Sequence, residues 1–258
     1  MAKDDGFQAG WQSRLGLARS IAMYRLIPGR ARRIAKLYGP IVQPDDLCFD
    51  IGAHIGNRTS ALARLGAKVV AVEPQPLFAA YLRRRMARLS NVTLLDVAVG
   101  EECGETVLNI SRRTPTVSTT SATWMGAVGK SAGFAKVSWD DQVTVEQTTL
   151  DALIDRFGVP RFCKIDVEGG EASVLVGLSQ PIEHVSFEYI PAAIDVALAC
   201  IDRLATLGPY RYRATIGESV KPVAGRDWTP EEAGAWLVSQ PRQARFGDLH
   251  ARLVADEP

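Results

Sequence analysis

Residues 48–56 read C-F-D-I-G-A-H-I-G, and the next apolar run ends in Glu73-Pro74. No other feature constrains the fold as strongly. An apolar strand ends in an acid and a glycine turn, a helix begins, and a second strand ends in another acid. That order sets backbone N–H groups and the carboxylates of Asp50 and Glu73 at one sheet edge, where a small polar ligand can bind. Glu73 follows Gly52 by about 20 positions, a spacing that suits an acid reaching the ribose hydroxyls of a nucleoside. The turn is G-x-x-x-G rather than G-x-G-x-x-G. That spacing disfavours a nucleotide-dependent dehydrogenase, so the nucleoside need not be a dinucleotide.

The flanking sequence continues the alternation. Strands are expected at 47–51, 68–72 and 92–99, with helices at 56–65 and 76–89 between them. Gly66 stops the first helix. Strands joined by helices of this length form right-handed βαβ units and a parallel sheet. The pattern then breaks. Residues 106–110 and 142–148 read as strands around a long polar insert, Arg112 to Asp140, expected to be a lid or binding loop, or disordered. A helix at 150–157, a strand at 161–167, a helix at 170–177, a strand at 185–190, a helix at 192–207 and a strand at 210–216 resume the alternation. The last expected element is a helix at 228–239, with Thr229 as N-cap and Pro230 at its first position.

The chain has 258 residues and a net charge of +1. The near balance gives no general case for nucleic-acid binding. Cys48, Cys103, Cys163 and Cys200 are scattered without a C-x-x-C pair and read as small core residues of a reducing, cytoplasmic protein. No apolar run approaches the ~20 residues of a membrane span, and the N-terminus lacks the continuous apolar core of a signal peptide. From Gly6 to Pro44 there is no acid, but Arg14, Arg19, Arg25, Arg30, Arg32, Arg33 and Lys36 are present. Pro28-Gly29 divides the segment into two short basic helices. Two readings stay open: a helical cover on the sheet edge, or a peripheral contact with the inner membrane face. The expected organisation is therefore a basic helical segment, 1–44, and an α/β domain, 45–258, carrying the insert. A homo-oligomer is compatible with the sequence.

Ligands of an open α/β sheet bind outside the carboxyl ends of its strands. Acids at those ends are Asp50, Glu73, Asp96, Asp166 with Glu168, and Glu188. Asp166 and Glu168 lie in K-I-D-V-E-G-G-E, after a strand and before a helix. Strand alternation would aim both carboxylates to one side of an extended backbone. Adjacent acids raise each other's pKa, so a cation or a shared proton is expected between them. Glu188 could complete an oxygen-ligand set, although no dedicated spacing marks a metal site. The three histidines, His54, His184 and His250, form no cluster with cysteine that would suit zinc. No phosphate-binding G-x-x-x-x-G-K-[ST] loop is present.

Motif for motif, the chain resembles the FkbM family of S-adenosylmethionine-dependent methyltransferases. The matching stretches are F-D-I-G-A-H-I-G, A-V-E-P, T-L-D-A-L-I and K-I-D-V-E-G-G-E, within roughly residues 45–188. Family members typically carry asparagine where this chain has His54. The resemblance implies a class I, Rossmann-like fold: α/β, doubly wound, with a mostly parallel sheet of the seven-stranded type behind an N-terminal helical appendage. It implies S-adenosylmethionine as cofactor. Asp50, Gly52, Ala53, His54, Gly56 and Asn57 would hold its methionine end, Glu73 and Pro74 its ribose, and Asp96 its adenine. Lys164, Asp166 and Glu168 would border the transferred methyl and the acceptor, with Asp166 also touching the cofactor.

A hydroxyl acceptor needs its proton removed. Asp166 or Glu168 is the expected base, Glu188 the orienting acid, and His54 a further candidate in the turn. The implied activity is O-methylation of a small-molecule acceptor, a sugar or glycan hydroxyl or a polyketide-type natural product. The insert, with its Thr and Ser residues and Trp124, Phe134 and Trp139, suits selection of that acceptor and equally an ordinary flexible loop. N-methylation and a non-catalytic nucleoside-binding module are the alternatives.

Overall fold

The computed structural model describes residues 15–19, 21–22, 30–217 and 219–254. A helix, α1 (Arg30–Tyr38), leads into the βα alternation. Strand β1 (Leu47–Ile51), helix α2 (Asn57–Arg64), β2 (Lys68–Val72), α3 (Pro76–Met86) and β3 (Val92–Leu95) follow. After the insert come α5 (Leu150–Phe157), β7 (Phe162–Ile165), α6 (Glu171–Val176), β8 (His184–Tyr189), α7 (Ile194–Leu207), β9 (Tyr210–Ile216), α8 (Pro230–Val238) and β10 (Gly247–Leu253). The main sheet has seven strands in the order β3-β2-β1-β7-β8-β10-β9. All neighbours are parallel except β10, which runs antiparallel to both β8 and β9. This is the doubly wound α/β sheet expected from the sequence. Its order reverses between β1 and β7, which makes a crevice at their carboxyl ends.

The central strands L-C-F-D-I, K-V-V-A-V and F-C-K-I are buried nearly throughout. Helices cover both faces, so these strands read as continuous apolar runs rather than alternating ones. Phe49, Ile51, Val70, Ile165 and Phe187 form the main core with α5, α6 and α7. On the other side Tyr38 and Val42 pack with Cys48, Leu62, Val69 and Phe162. Residues between Ile34 and Val42 thus share a core with the sheet. Half of the N-terminal segment 1–44, including Pro28-Gly29, lies outside the described residues. No helix among the described residues is long and apolar enough to cross a membrane.

Four expectations need correction. The strand anticipated at 92–99 is two: β3 in the main sheet, and β4 (Ala98–Val99), which joins β5 (Gly104–Ile110) and β6 (Asp141–Thr148) in a second sheet. Asp96 and Val97 make the crossing. The insert is not an open loop. It contains α4 (Ala122–Val128), capped by Ser121 Oγ, which accepts from Trp124 N at 3.2 Å. Trp124 is buried against Phe134 and Trp139, with ring centroids 5.4 and 6.0 Å away. It fills a small core instead of facing an acceptor. Strand β10 follows the helix at 228–239, which was the last element anticipated. Finally, Cys103 is exposed, unlike the three buried cysteines.

Candidate functional site

A cavity of about 440 Å³ opens at the carboxyl ends of β1, β2, β7 and β8. Its size falls in the range of about 300–1,000 Å³ typical of small-molecule pockets. Asp50, Gly52, Ala53, His54, Asn57, Glu73, Pro74, Asp166, Glu168 and Glu188 all line it. Of the cofactor-binding and catalytic candidates named from sequence, Gly56, Asp96 and Lys164 do not.

The glycine turn is built for close packing as much as for a ligand. Gly52 has φ 81°, and a Cβ there would overlap the carbonyl oxygen of Asp166. Its bareness lets the β1 and β7 turns meet. Asp50 is buried and accepts from Thr59 Oγ1 at 2.5 Å. Burial raises its pKa, and the Thr59 bond opposes the rise. Gly56 is the N-cap of α2 and faces Leu82 and Met86 of α3, away from the cavity.

Glu73 ends β2 with both oxygens engaged. One accepts from His54 N at 2.7 Å, the other from Gln75 N at 2.9 Å. Burial pushes its pKa up to about 7, against the pull of those two bonds. The bond to Glu73 also anchors the turn at His54, whose φ is 51°. The His54 ring stands edge-on to Phe78, centroids 4.3 Å apart. Gln75 also reaches the cavity. Its Nε2 donates to Ser118 Oγ of the insert at 3.0 Å, while its Oε1 is buried without a partner.

Asp96 is turned outward into an ion pair with Arg83. Its side chain is 38% exposed, and Val97, Ala98 and Val99 line the cavity in its place. The chain crosses to the second sheet here, which gives this wall an apolar character.

Asp166, Glu168 and Glu188 converge. One oxygen from each lies within 4.8 Å of the others. Strand alternation is not the cause, because β7 ends at Ile165 and Glu168 sits in a turn at φ 54°. The turn is clamped twice. Glu171 accepts from Val167 N and Gly169 N, both at 3.0 Å. Thr119 Oγ1 of the insert donates to the Glu168 carbonyl at 2.6 Å. Burial, then the neighbouring Asp166 charge, raises the pKa of Glu168 and of Glu188 well above the usual carboxylate range. Such a triplet can share a proton or hold a hard divalent cation.

Lys164 lies beneath this triplet, fully buried. Its Nζ donates to Asp248 Oδ1 at 2.8 Å and to the Ile165 carbonyl at 3.0 Å, and lies 3.7 Å from Asp166. Burial opposes its charge, but Asp248 and Asp166 outweigh that and raise its pKa. Arg58, on α2, completes the network with Asp166 at 2.9 Å and Asp248 at 3.7 Å. Sequence reasoning missed both Arg58 and Asp248. Asp248 sits directly opposite Glu188 in the antiparallel register. The alternation of Leu249, Ala251 and Leu253 with His250 and Arg252 was the available sign of its strand. His250 also lies on β10, where burial pushes its pKa down to about 4. His184 begins β8 at the far end from the acids.

The model of the FkbM methyltransferase domain matches residues 50–196, more than half of the chain. The chain belongs to the FkbM methyltransferase family. S-adenosylmethionine is the cofactor that goes with this domain. Among curated proteins, the ribosomal RNA small subunit methyltransferase A of Thermotoga petrophila is 41% identical over 64 residues, 25% of this chain and 24% of that one. A probable counterpart from Methanosarcina acetivorans is 39% identical over 54 residues, 21% of this chain and 20% of that one. The match thus spans about a quarter or less of these relatives. Among solved structures, an O-methyltransferase from Bacillus cereus, in complex with SAH, is similar at 13% identity and TM-score 0.49, covering 97% of this chain and 94% of that one. The precorrin-6y C5,15-methyltransferase of Geobacter metallireducens has 13% identity and TM-score 0.45, covering 87% and 86%.

The lining residues fit the cofactor. A buried acid flanked by backbone donors, a buried unpaired amide oxygen on Gln75 and an apolar wall suit a nucleoside. The carboxylates beyond it suit a cationic centre.

Proposed function

We propose that this chain is an S-adenosylmethionine-dependent O-methyltransferase whose acceptor is a hydroxyl on a sugar, a glycan or a polyketide-type product. The observation that carries the reading is the convergence of Asp166, Glu168 and Glu188 in the cavity that also holds Glu73. When bound, the cofactor supplies an electrophilic methyl group on a sulfonium. Glu73 would hold the ribose diol, Gln75 and the Val97–Val99 wall the base, and the turn from Asp50 to Asn57 the amino-acid end.

The chain's own chemistry is deprotonation and alignment. Glu168 or Glu188 takes the proton from the acceptor hydroxyl. A carboxylate with a raised pKa is the stronger base, which suits a poor nucleophile. Asp166 is engaged by Arg58 and Lys164, which supports a role in positioning and leaves proton transfer to the two glutamates. Lys164 touches no cavity surface, so it acts through Asp166 and Asp248. Binding a cation tightly does not by itself accelerate its reaction, so rate must come from alignment and from the base.

The test has two stages. S-adenosylhomocysteine should bind in calorimetry. Extract incubated with labelled cofactor should then yield a methylated product with the wild type, and about 100-fold less or lower with Glu168→Gln. Absence of nucleoside binding would end the reading. Binding without turnover on any extract would favour a non-catalytic module.

A further inference from the structure

Part of the cavity lining is oppositely charged. Its carboxylates all come from strand ends and their turns. Another part comes from α1, with Arg33, Ile34 and Leu37, from Gly217, Ser219 and Val220, and from residues 242–246. Neither α1 nor residues 239–246 contain an acid. Glu218 lies outside the described residues.

Two arginines of this lining have no carboxylate partner among the described residues. Arg242 Nη2 donates to the Ala192 carbonyl at 2.9 Å, a neutral partner. Arg245 has no carboxylate partner among the described residues. Its guanidinium lies against Gly217 (φ 55°), at the spot where any Cβ would stand. The bare glycine thus lets the planar fork rest there, in the cavity lining. Arg58 differs, because Asp166 and Asp248 already neutralise it. Phe246, 43% exposed, adds an aromatic face beside these cations.

We propose that this arginine-lined part of the cavity is an anion subsite, and that the acceptor carries an acidic group, phosphate or carboxylate, held by Arg242 and Arg245. Arginine forks match both oxyanions bidentately. The strand-end acids would repel such a group, so the same charge pattern that admits a cation at the strand ends turns the acceptor's anion toward the arginines. Its neutral hydroxyl then points to Glu168 and Glu188. This deepens the methyltransferase reading and rests on it for the hydroxyl, but not for the anion.

The competing source of an anion is the cofactor's own carboxylate. The experiment separates the two. The full chain is titrated with pyrophosphate, glucose 1-phosphate and glucuronate, with and without saturating S-adenosylhomocysteine. At least one anion should bind saturably and more weakly as KCl rises. Arg245→Gln should weaken it about tenfold, Arg242→Gln/Arg245→Gln further, and Arg245→Lys less than Arg245→Gln. Affinity for S-adenosylhomocysteine should stay within about twofold of wild type in each variant, the scatter expected for a group that does not contact it. The proposal is overturned if no anion binds, if the double variant binds it as well as wild type, or if the variants lose S-adenosylhomocysteine instead. Failure of the wild type to bind S-adenosylhomocysteine would count against the methyltransferase reading alone, since the titration without it still decides the subsite.

Discussion

Lys164 Nζ and Asp248 Oδ1 stand 2.8 Å apart, joining a central parallel strand inside the family match to an antiparallel strand beyond it. The contact ties the last strand of the fold to the floor of the cavity. Asp248 keeps its charge there because Lys164 and Arg58 outweigh the cost of burial, so its pKa is lowered.

The pair is therefore expected to be costly to break. Asp248→Asn leaves a fully buried ammonium with only a carbonyl and the more distant Asp166. The loss should be about 3 to 5 kcal/mol in urea unfolding, as for other buried pairs deprived of one partner. A loss under about 1 kcal/mol would mean that water reaches Lys164 in the folded chain.

Four glutamates act in the opposite direction. Burial pushes Glu73 and Glu171 up to about 7 and raises Glu168 and Glu188 well above the usual carboxylate range. A raised folded-state pKa gives stability that is complete below the unfolded pKa and lost as pH climbs through the folded one. His184 and His250 are lowered by burial, and their contribution is complete above their unfolded value of about 6.5. From pH 6.5 to 8 the glutamates therefore decide. Stability of the ligand-free chain in chelator should fall, by up to about 1.4 kcal/mol per pH unit for each proton released. Glu168→Gln/Glu188→Gln should flatten the slope. A wild-type profile that is level or rising over this window would contradict the placement of these acids.

How much of this was legible follows from where the information sits. The βα alternation and the strand-end acids are local patterns, so the parallel half of the sheet and the acids that line the cavity could be read directly. Convergence of Asp166 and Glu168 was anticipated for the wrong reason. The left-handed turn at Glu168 depends on Glu171 and Thr119, and Thr119 comes from a distant insert. Asp96 was misplaced because nothing local reveals that the chain leaves the main sheet after Leu95. Arg58 and Asp248 gain meaning only from partners distant in sequence: Asp248 is 84 residues from Lys164 along the chain yet bonded to it, and Arg58 pairs with Asp166 and Asp248.

Trp124 offers a test of the insert as a folded element. It is 2% exposed and packs on Phe134 and Trp139, and the Trp139 ring nitrogen donates to the Val117 carbonyl at 2.9 Å. Trp124→Ala should cost about 3 to 5 kcal/mol if the insert unfolds with the domain. If the insert melts by itself, the main transition should stay put and proteolysis should cut within residues 112–140 first. Unchanged stability together with unchanged proteolysis would show that Trp124 is not a core residue.

Glu73 supplies the most direct check on the nucleoside end of the cavity. Its carboxylate must be ionised to accept from both hydroxyls of a ribose, and burial holds its pKa near 7 in the ligand-free chain. Adenosine is uncharged near neutrality, so it reports on Glu73 without disturbing the acids around Asp166. Its affinity should rise from pH 6 to 8, steeply below 7 and little above, because the proton must leave before the diol can bind. Glu73→Gln should lose about tenfold or more at pH 8, the worth of a hydrogen bond to a charged acceptor, and should show no pH dependence. A wild-type affinity that is flat across this range, or a glutamine variant that keeps the same slope, would place the ribose elsewhere in the cavity.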